Sequence, residues 1–336
     1  MKALVCCGLV FGTLVYGAGS GYHVVSKIPI GGEGGWDYLT VDSGARRLYV
    51  SHGTHVVVVD IDTEKVVGDI PDTPGVHGIA VAPELNRGFI SNGRGNTATI
   101  FDLKTLKTLG QVKTGSNPDG ILYEPATKRV FTFNGRSQDA TVFDATNGEV
   151  LGTIPLGGKP EFPAADGKGR VFVNMEDKNE VAEIDPQKLT VVKRSSIKPC
   201  DGPSGMGLDA TKHRVFSVCG NKIMSVLDAD AGQVIQTVPI GNGPDGAGFA
   251  ACTGLAFSSN GEGTLTVVRE SAPGKYEVAE TVPTQRGART MAIDCKADKI
   301  FLPTAQFGPT PPPTPDVPRP RPAPLKDSFT VLVVGR

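Results

Sequence analysis

The sequence predicts an all-β protein, a seven-bladed β-propeller with four-stranded antiparallel blades, and two internal periodicities carry this prediction. An Asp that closes a short apolar strand recurs every 41 to 43 residues, at Asp60, Asp102, Asp144, Asp185 and Asp228. A residue pair that precedes the first strand of each unit recurs every 40 to 44 residues, at Trp36-Asp37, Val76-His77, Pro118-Asp119, Pro160-Glu161, Pro203-Ser204, Pro244-Asp245 and Ala288-Arg289. Seven units of about 42 residues are typical of a repeat architecture.

Each unit has the pattern of four short strands joined by turns. Residues 47–60, RLYVSHGTHVVVVD, form two β-branched or aromatic segments around a His-Gly turn, and no helical periodicity intervenes between such segments. A lone four-stranded sheet would expose both faces, whereas radial packing buries them and leaves only short edges. A linear solenoid is the alternative, but it would need atypical capping repeats that the sequence does not contain.

The N-terminal strand is predicted to complete the last blade. The seventh unit supplies strands at residues 290–294, 299–302 and 329–334, and then lacks its fourth. Residues 22–30 match the fourth-strand text of other units, since SKIPIGGEG aligns with GTIPLGGKP and QTVPIGNGP. Pairing of the two chain ends would hide an otherwise open sheet edge. We therefore expect residues 21–336 to form a single propeller.

Residues 1–20 have the pattern of a secretory signal peptide. Lys2 is followed by an apolar run over residues 3–16, too short to span a bilayer, and then by small residues at positions 17–20. A buried N-terminal strand is the alternative, but it would explain neither the leading Lys nor the trailing small residues. The pattern predicts a periplasmic or secreted protein.

Four cysteines remain after this segment, and an even number in an exported chain favours disulfide bonds. Cys200 precedes the fifth unit and Cys219 ends its second strand, so both project to one face. We predict a bridge between them that contributes about 3 kcal/mol. Cys252 and Cys295 occupy equivalent turns of adjacent units, where we predict a second bridge. Paired CxxC spacing, which zinc sites favour, is absent from the sequence.

A proline-rich insertion interrupts the last unit at residues 304–326. Nine prolines lie between positions 309 and 324, and such a segment resists pairing into a sheet. It is either a solvated polyproline-type loop or a partial lid that contacts a ligand or partner.

The repeats resemble the YVTN/YncE-type β-propeller family of bacteria over roughly residues 22–336. The resemblance lies in the second strands, which contain Tyr49-Val50-Ser51-His52, Phe89-Ile90-Ser91-Asn92, Phe131-Thr132-Phe133-Asn134 and Phe257-Ser258-Ser259-Asn260, and in the openings Pro118-Asp119-Gly120 and Pro244-Asp245-Gly246. It implies an exported seven-bladed protein and supplies no catalytic set. His52 departs from the pattern, because the family has Asn at that position.

Propeller topology predicts one face rich in polar groups. The turns that open each unit emerge on the same face as the loops between second and third strands, and loops on a rigid scaffold are where binding groups belong. The candidate ligand-binding residues are Asp37, His52, His77, Arg94, Asp119, Arg136, Glu161, Asp245 and Arg289.

The sequence also allows a metal site on this face. Imidazole suits several transition metals, so His52, His55 and His77 are candidate ligands, with Asp37 or Asp119 as added oxygen donors. Hydrogen-bonding or structural histidines are the alternative, because their spacing is not diagnostic of a metal site. No catalytic residue is assigned. Ser204 lacks the strand–turn–helix context of a nucleophile elbow.

Composition excludes some partners. The net charge is −1, and no Lys/Arg run follows an aromatic-rich face, so neither nucleic acid nor an anionic membrane is expected. We expect a monomer without a transmembrane segment, whose partner is a small polar ligand or a protein segment. The sequence favours an exported binding propeller with its ligand at the channel mouth. The alternatives are a metal-assisted lyase or lactonase that uses the same face, and a protein-docking module that uses the proline-rich loop.

Overall fold

The computed structural model describes residues 21–314, 320 and 322–336. The signal peptide predicted for residues 1–20 lies outside the described residues. Seven four-stranded antiparallel sheets form a ring, which confirms the predicted seven-bladed propeller. The first strands of consecutive blades contact one another around the central channel, and the first strand of blade 7 returns to that of blade 1.

The blades follow the chain in order. Blade 1 contains β2 (Leu39–Asp42), β3 (Arg47–His52), β4 (His55–Asp60) and β5 (Lys65–Ile70). Blades 2 and 3 contain β6 (Val76–Ala82), β7 (Arg87–Asn92), β8 (Thr97–Asp102) and β9 (Thr108–Lys113), then β10 (Pro118–Glu124), β11 (Arg129–Asn134), β12 (Asp139–Asp144) and β13 (Val150–Pro155). The short 3-10 helix Pro83–Leu85 in blade 2 is the one helix among the described residues.

The remaining blades repeat the plan. Blade 4 contains β14 (Pro160–Ala165), β15 (Val171–Met175), β16 (Glu180–Asp185) and β17 (Thr190–Ser196). Blades 5 and 6 contain β18 (Pro203–Asp209), β19 (Arg214–Cys219), β20 (Ile223–Asp228) and β21 (Gln233–Pro239), then β22 (Pro244–Ala250), β23 (Leu255–Asn260), β24 (Thr264–Ala272) and β25 (Lys275–Pro283). Blade 7 contains β26 (Ala292–Asp294), β27 (Lys299–Thr304), β28 (Thr330–Gly335) and the N-terminal β1 (His23–Pro29).

The N-terminal strand closes blade 7, as the sequence predicted. β1 pairs antiparallel with β28, with His23 opposite Gly335 and Pro29 opposite Thr330. Tyr22 packs edge-on against Phe257 of blade 6, with ring centroids 5.5 Å apart. The first strand of the chain is therefore the outer strand of the last blade.

The periodic Asp residues are turn residues. Asp60 Oδ1 accepts hydrogen bonds from the backbone N–H groups of Asp62 and Thr63, at 3.1 and 2.7 Å. Asp102, Asp144, Asp185 and Asp228 accept equivalent bonds in their own blades. A short acidic side chain that caps its own turn fixes the link between third and fourth strands. Because each of these turns needs such a cap, Asp recurs at the same position in these five units.

Glycines let the blades approach closely at the channel. A Cβ added to Gly205 in β18 would lie 2.5 Å from both the backbone N of Ala247 and the carbonyl O of Asp245, in blade 6. A Cβ at Gly120 would lie 3.0 Å from the carbonyl O of Glu161 in blade 4. Only glycine fits such backbone contact between neighbouring first strands.

Both predicted disulfide bonds are confirmed. Cys200 and Cys219 are bonded within blade 5, with Cα atoms 5.5 Å apart. Cys252 and Cys295 link blade 6 to blade 7, with Cα atoms 5.6 Å apart. Two such bonds are typical of a protein that folds in an oxidising compartment. In the described part of the chain, no helix has the length and apolar character needed to cross a lipid bilayer.

The proline-rich insertion folds back on itself where it is described. Phe307 forms an isolated antiparallel bridge with Pro324. Gly308 N–H donates to the carbonyl of Ala323 at 3.0 Å, and Leu325 N–H donates to the carbonyl of Gln306 at 2.8 Å. The two described arms of the loop therefore form a short strap, defined here as residues 306–308 and 322–325.

Candidate functional site at the channel mouth

Seven equivalent side chains surround one end of the channel, each from the turn that opens a blade. We call them the channel-mouth ring, and its members are Asp37, His77, Asp119, Glu161, Ser204, Asp245 and Arg289. Within a blade this turn hydrogen-bonds to the hairpin of the second and third strands. Gly93 N–H donates to the carbonyl of Gly75 at 2.9 Å in blade 2, and Gly261 N–H donates to that of Gly243 at 2.7 Å in blade 6. Opening turns and these hairpins therefore share one face.

Two aromatic rings close the channel below this mouth. Tyr38 follows Asp37 in blade 1, and its ring lies 5.0 Å from that of Phe162, which follows Glu161 in blade 4. The equivalent positions in the other blades are Gly78, Gly120, Gly205, Gly246 and Thr290. Small residues there leave room for the two rings to meet across the channel. The mouth is thus a cup that opens only outward.

Ion pairs link the ring across five consecutive blades. Arg289 pairs with Asp245 on one side, and its Nη2 lies 3.9 Å from Asp37 Oδ1 on the other. Asp37 Oδ2 lies 2.7 Å from His77 Nδ1, which is also 3.7 Å from Asp119 Oδ1. Burial disfavours the charged imidazole, but the hydrogen bond with Asp37 and the charge of Asp119 raise the pKa of His77 above its usual value.

A lysine outside the ring contacts its member in blade 4. Lys159 Nζ lies 2.7 Å from Glu161 Oε1 and also pairs with Glu176 in the adjacent hairpin. Burial, with the charge of Asp119 second, still raises the pKa of Glu161 to about 7. Burial and the charge of Asp37 likewise raise the pKa of Asp119. Lys159 therefore does not offset the combined effects of burial and of the neighbouring carboxylates.

The ring carboxylates also affect Tyr38, one of the two aromatic residues below the mouth. Burial, together with the charges of Asp119, Asp37 and Glu161, raises the pKa of Tyr38 well above its usual value. The ring holds four carboxylates, and only Arg289 and the adjoining Lys159 carry fixed positive charge against them. The cup is consequently a region of negative potential that a bound cation would relieve.

An aromatic pocket adjoins the ring under the strap. This pocket, a cavity of about 540 Å³, is lined by Trp36, Phe307 and Pro324 together with Asp245 and Arg289 of the ring. The Trp36 ring stacks on Phe329 at 5.1 Å and lies 6.0 Å from that of Phe307. A ligand could therefore contact charged and apolar surfaces at once.

The three candidate metal-binding histidines do not converge on one site, because His52 and His55 are neighbours and His77 lies apart from them. His52 is 1% exposed, and its Nε2 lies 3.0 Å from the carbonyl O of Gly31. Its ring packs 4.6 Å from Phe329 and 4.9 Å from His55. His55 faces Asp69, with Nε2 and Oδ1 3.6 Å apart. Only His77 lies in the ring, where Asp37 and Asp119 surround it, so His52 occupies a packing position outside the mouth.

Arg94 and Arg136 are exposed on the β7–β8 and β11–β12 hairpins. In the described residues, no ion pair connects either of them to the ring. The residues that sequence reasoning missed are Tyr38, Phe162 and Lys159. Tyr38 and Phe162 had a readable signal, since each replaces the glycine or threonine found at that repeat position in the other blades.

Glu161 is expected to make stability depend on pH. Burial raises its pKa from the ordinary 4.5 to about 7 in the folded chain. A raised folded pKa contributes stability at low pH that is lost as pH rises from about 5 to 7. Because one pKa unit corresponds to about 1.4 kcal/mol, we expect the free energy of unfolding of the wild type to fall by an amount on the order of 2 kcal/mol between pH 5 and pH 8. Glu161→Gln should not show this fall when urea unfolding is measured at the same two pH values.

Glu176→Gln is the matched control for this measurement. It removes the other carboxylate that binds Lys159 but leaves Glu161 in place. Its pH dependence should follow that of the wild type. An unchanged pH dependence in Glu161→Gln would contradict the assignment.

Comparison with known proteins supports the fold. A solved chain of hydrazine synthase from Kuenenia stuttgartiensis superposes with a TM-score of 0.68 and 17% identity, over 88% of this chain and 96% of that chain. At such low identity the likeness shows the propeller fold alone. No family model and no curated protein matches the sequence. The resemblance to the YVTN/YncE-type family therefore stays a prediction from the repeat motifs.

Proposed function

We propose that the protein is an exported binding propeller whose channel mouth takes a polar ligand with a positively charged group. The observation that carries this proposal is the convergence of four carboxylates, from equivalent positions of four blades, above a closed channel floor. Burial and a neighbouring carboxylate raise the pKa values of two of them, Asp119 and Glu161, so a bound cation that neutralises them gains free energy. The negative cup therefore favours a cationic ligand over an anionic one.

The aromatic pocket under the strap extends this site. Trp36 and Phe307 offer flat apolar surfaces, and cations are attracted to aromatic faces. Export is supported by the two disulfide bonds, which favour an oxidising compartment such as the periplasm or the exterior.

Putrescine and succinate provide a matched test of the proposal. Both are four-carbon chains, but one carries two ammonium groups and the other two carboxylates. We expect putrescine to raise the melting temperature of the protein, because a ligand that binds only the folded state stabilises it. Succinate should leave the melting temperature unchanged. Isothermal titration calorimetry then gives the affinity.

Charge-removing variants show whether the ring is responsible. Asp245→Asn removes a ring carboxylate and frees Arg289 to repel a cation, so putrescine affinity should fall at least about fivefold. Glu277→Gln removes the same charge from an exposed pair with Arg269 on the outer strand of blade 6 and should change nothing. Equal responses to putrescine and succinate, or equal losses in both variants, would overturn the proposal.

A further inference from the structure

Three ligand atoms of types that metals bind converge within the channel-mouth ring. One carboxylate oxygen each from Asp37 and Asp119, and one imidazole nitrogen of His77, all lie within 4.8 Å of one another. They come from three consecutive blades, so the ring geometry and not local sequence spacing brings them together. This juxtaposition is compact enough for one ion to contact all three.

One of these atoms lacks the partner that a buried charge requires. Asp119 Oδ1 is inaccessible to solvent and accepts no hydrogen bond of normal length among the described residues, although the Tyr38 hydroxyl interacts with the Asp119 carboxyl group. His77 Nδ1 is 3.7 Å from this oxygen, beyond hydrogen-bonding distance. A buried, unpaired carboxylate oxygen carries a desolvation cost. A cation between Asp119 and His77 would remove it.

The main chain around the ligands is held in place. Asp37 N–H donates to Ser51 Oγ at 2.8 Å, and the Asp37 carbonyl accepts a bond from Thr290 Oγ1 at 2.5 Å. The carbonyl of Asp119 accepts a bond from Ser91 Oγ at 2.5 Å. Ligand backbones anchored in this way hold a site of fixed size, which metal selectivity requires.

The His77 ring packs closely against Gly93. A Cβ added at Gly93 would lie 2.6 Å from His77 Nε2, so the far edge of the imidazole rests against this backbone. Nδ1 is thereby directed at the two carboxylates. Arg289 could compete for Asp37, but its other partner, Asp245, draws it to the opposite side.

We propose that Asp37, His77 and Asp119 bind one divalent transition-metal ion of the Zn²⁺ or Mn²⁺ type. This inference rests on the proposed function, because it names the positive charge that the acidic ring takes. Two carboxylates balance the charge of the ion, and the imidazole favours these metals over Mg²⁺ or Ca²⁺, which prefer oxygen ligands alone. Three protein ligands leave a coordination position open toward the mouth for water or a ligand group.

The test is a titration of EDTA-treated, dialysed protein with ZnCl₂, followed by isothermal titration calorimetry and by metal analysis after desalting. We expect one ion per chain. Asp119→Asn and His77→Gln should each weaken binding at least about 100-fold, because losing even an outer partner of a metal ligand costs about 10–100-fold. Far-ultraviolet circular dichroism and melting temperature establish that each variant is folded, and two independent ligand variants keep the test decisive if one fails to fold.

Two controls separate this site from its neighbours. Glu277→Gln removes an exposed carboxylate on the outer strand of blade 6, away from the ring, and His55→Asn removes the outer histidine that faces Asp69. Both should retain one ion with an affinity within about threefold of the wild type. A wild type that binds no Zn²⁺, or a loss caused by His55→Asn and not by His77→Gln, would overturn the inference. If the same metal-free protein binds putrescine but not Zn²⁺, the metal inference fails while the cation-binding function stands.

Discussion

A chain that begins at Gly31, and so lacks β1, is expected to melt at least about 10 °C below the chain that begins at Gly21, and to aggregate. The deletion removes the ladder between β1 and β28, and it removes the buried side chains of Tyr22 and Ile28 from the core. Each of these side chains contributes about 1.5–3 kcal/mol by burial, against a total stability of about 5–15 kcal/mol for a typical protein. The bared edge of β28 is also a template for pairing with another chain.

Two point substitutions in β1 test its packing in blade 7 without shortening the chain. Ile28→Asp places a charge in the core, whereas Lys27→Asp places the same charge on the exposed face of the same strand. Only the first should lower the melting temperature markedly, as followed by circular dichroism, and size-exclusion chromatography should then show aggregates. A truncated chain that melts within about 2 °C of the longer one would show that β1 does not stabilise the ring.

Gly205→Ala is expected to destabilise the protein by about 3 kcal/mol or more. The new methyl group would meet backbone atoms of Ala247, Asp245 and Gly246, all within 2.7 Å, and backbone cannot rotate away as a side chain can. Overpacking of a core typically costs about 1–3 kcal/mol, so a clash with backbone atoms belongs at the upper end or beyond. The free energy of unfolding, measured by denaturant titration, checks this expectation.

Gly110→Ala is the control for the same chemical change. Gly110 lies in β9, the outer strand of blade 2, and a Cβ there meets nothing within 4 Å. This substitution should be neutral or slightly stabilising, because it reduces the freedom of the unfolded chain. A similar loss of stability in both variants would mean that close contact between blades is not the reason for the glycine at position 205.

The fold was predictable because its repeat markers reflect local chemistry. Each periodic Asp caps its own turn, and each Gly after an opening residue leaves room for the neighbouring blade. The polar face was predictable from the same repeat, since strand direction alone decides which turns emerge together. These features depend on a residue and its near neighbours, which a sequence displays directly.

Side-chain direction was not predictable in the same way. At the position of His52, Asn92 turns inward and donates from Nδ2 to Thr99 Oγ1 at 2.8 Å. His52 instead contacts the carbonyl of Gly31 in the segment that follows β1, and so leaves the mouth. The contact between Tyr38 and Phe162 crosses the channel, and no repeat period encodes which side chains meet there.

The pairing of the first strand with the last sets an order for assembly during synthesis. β1 leaves the ribosome first, yet its partner β28 is made last, so no unfinished chain can complete blade 7. The Cys252–Cys295 bond can attach the early part of blade 7 to blade 6 before that pairing forms. Contacts between residues so distant in sequence form slowly. A prematurely terminated product therefore keeps an unpaired strand edge, which distinguishes it from finished protein and exposes it to proteolysis.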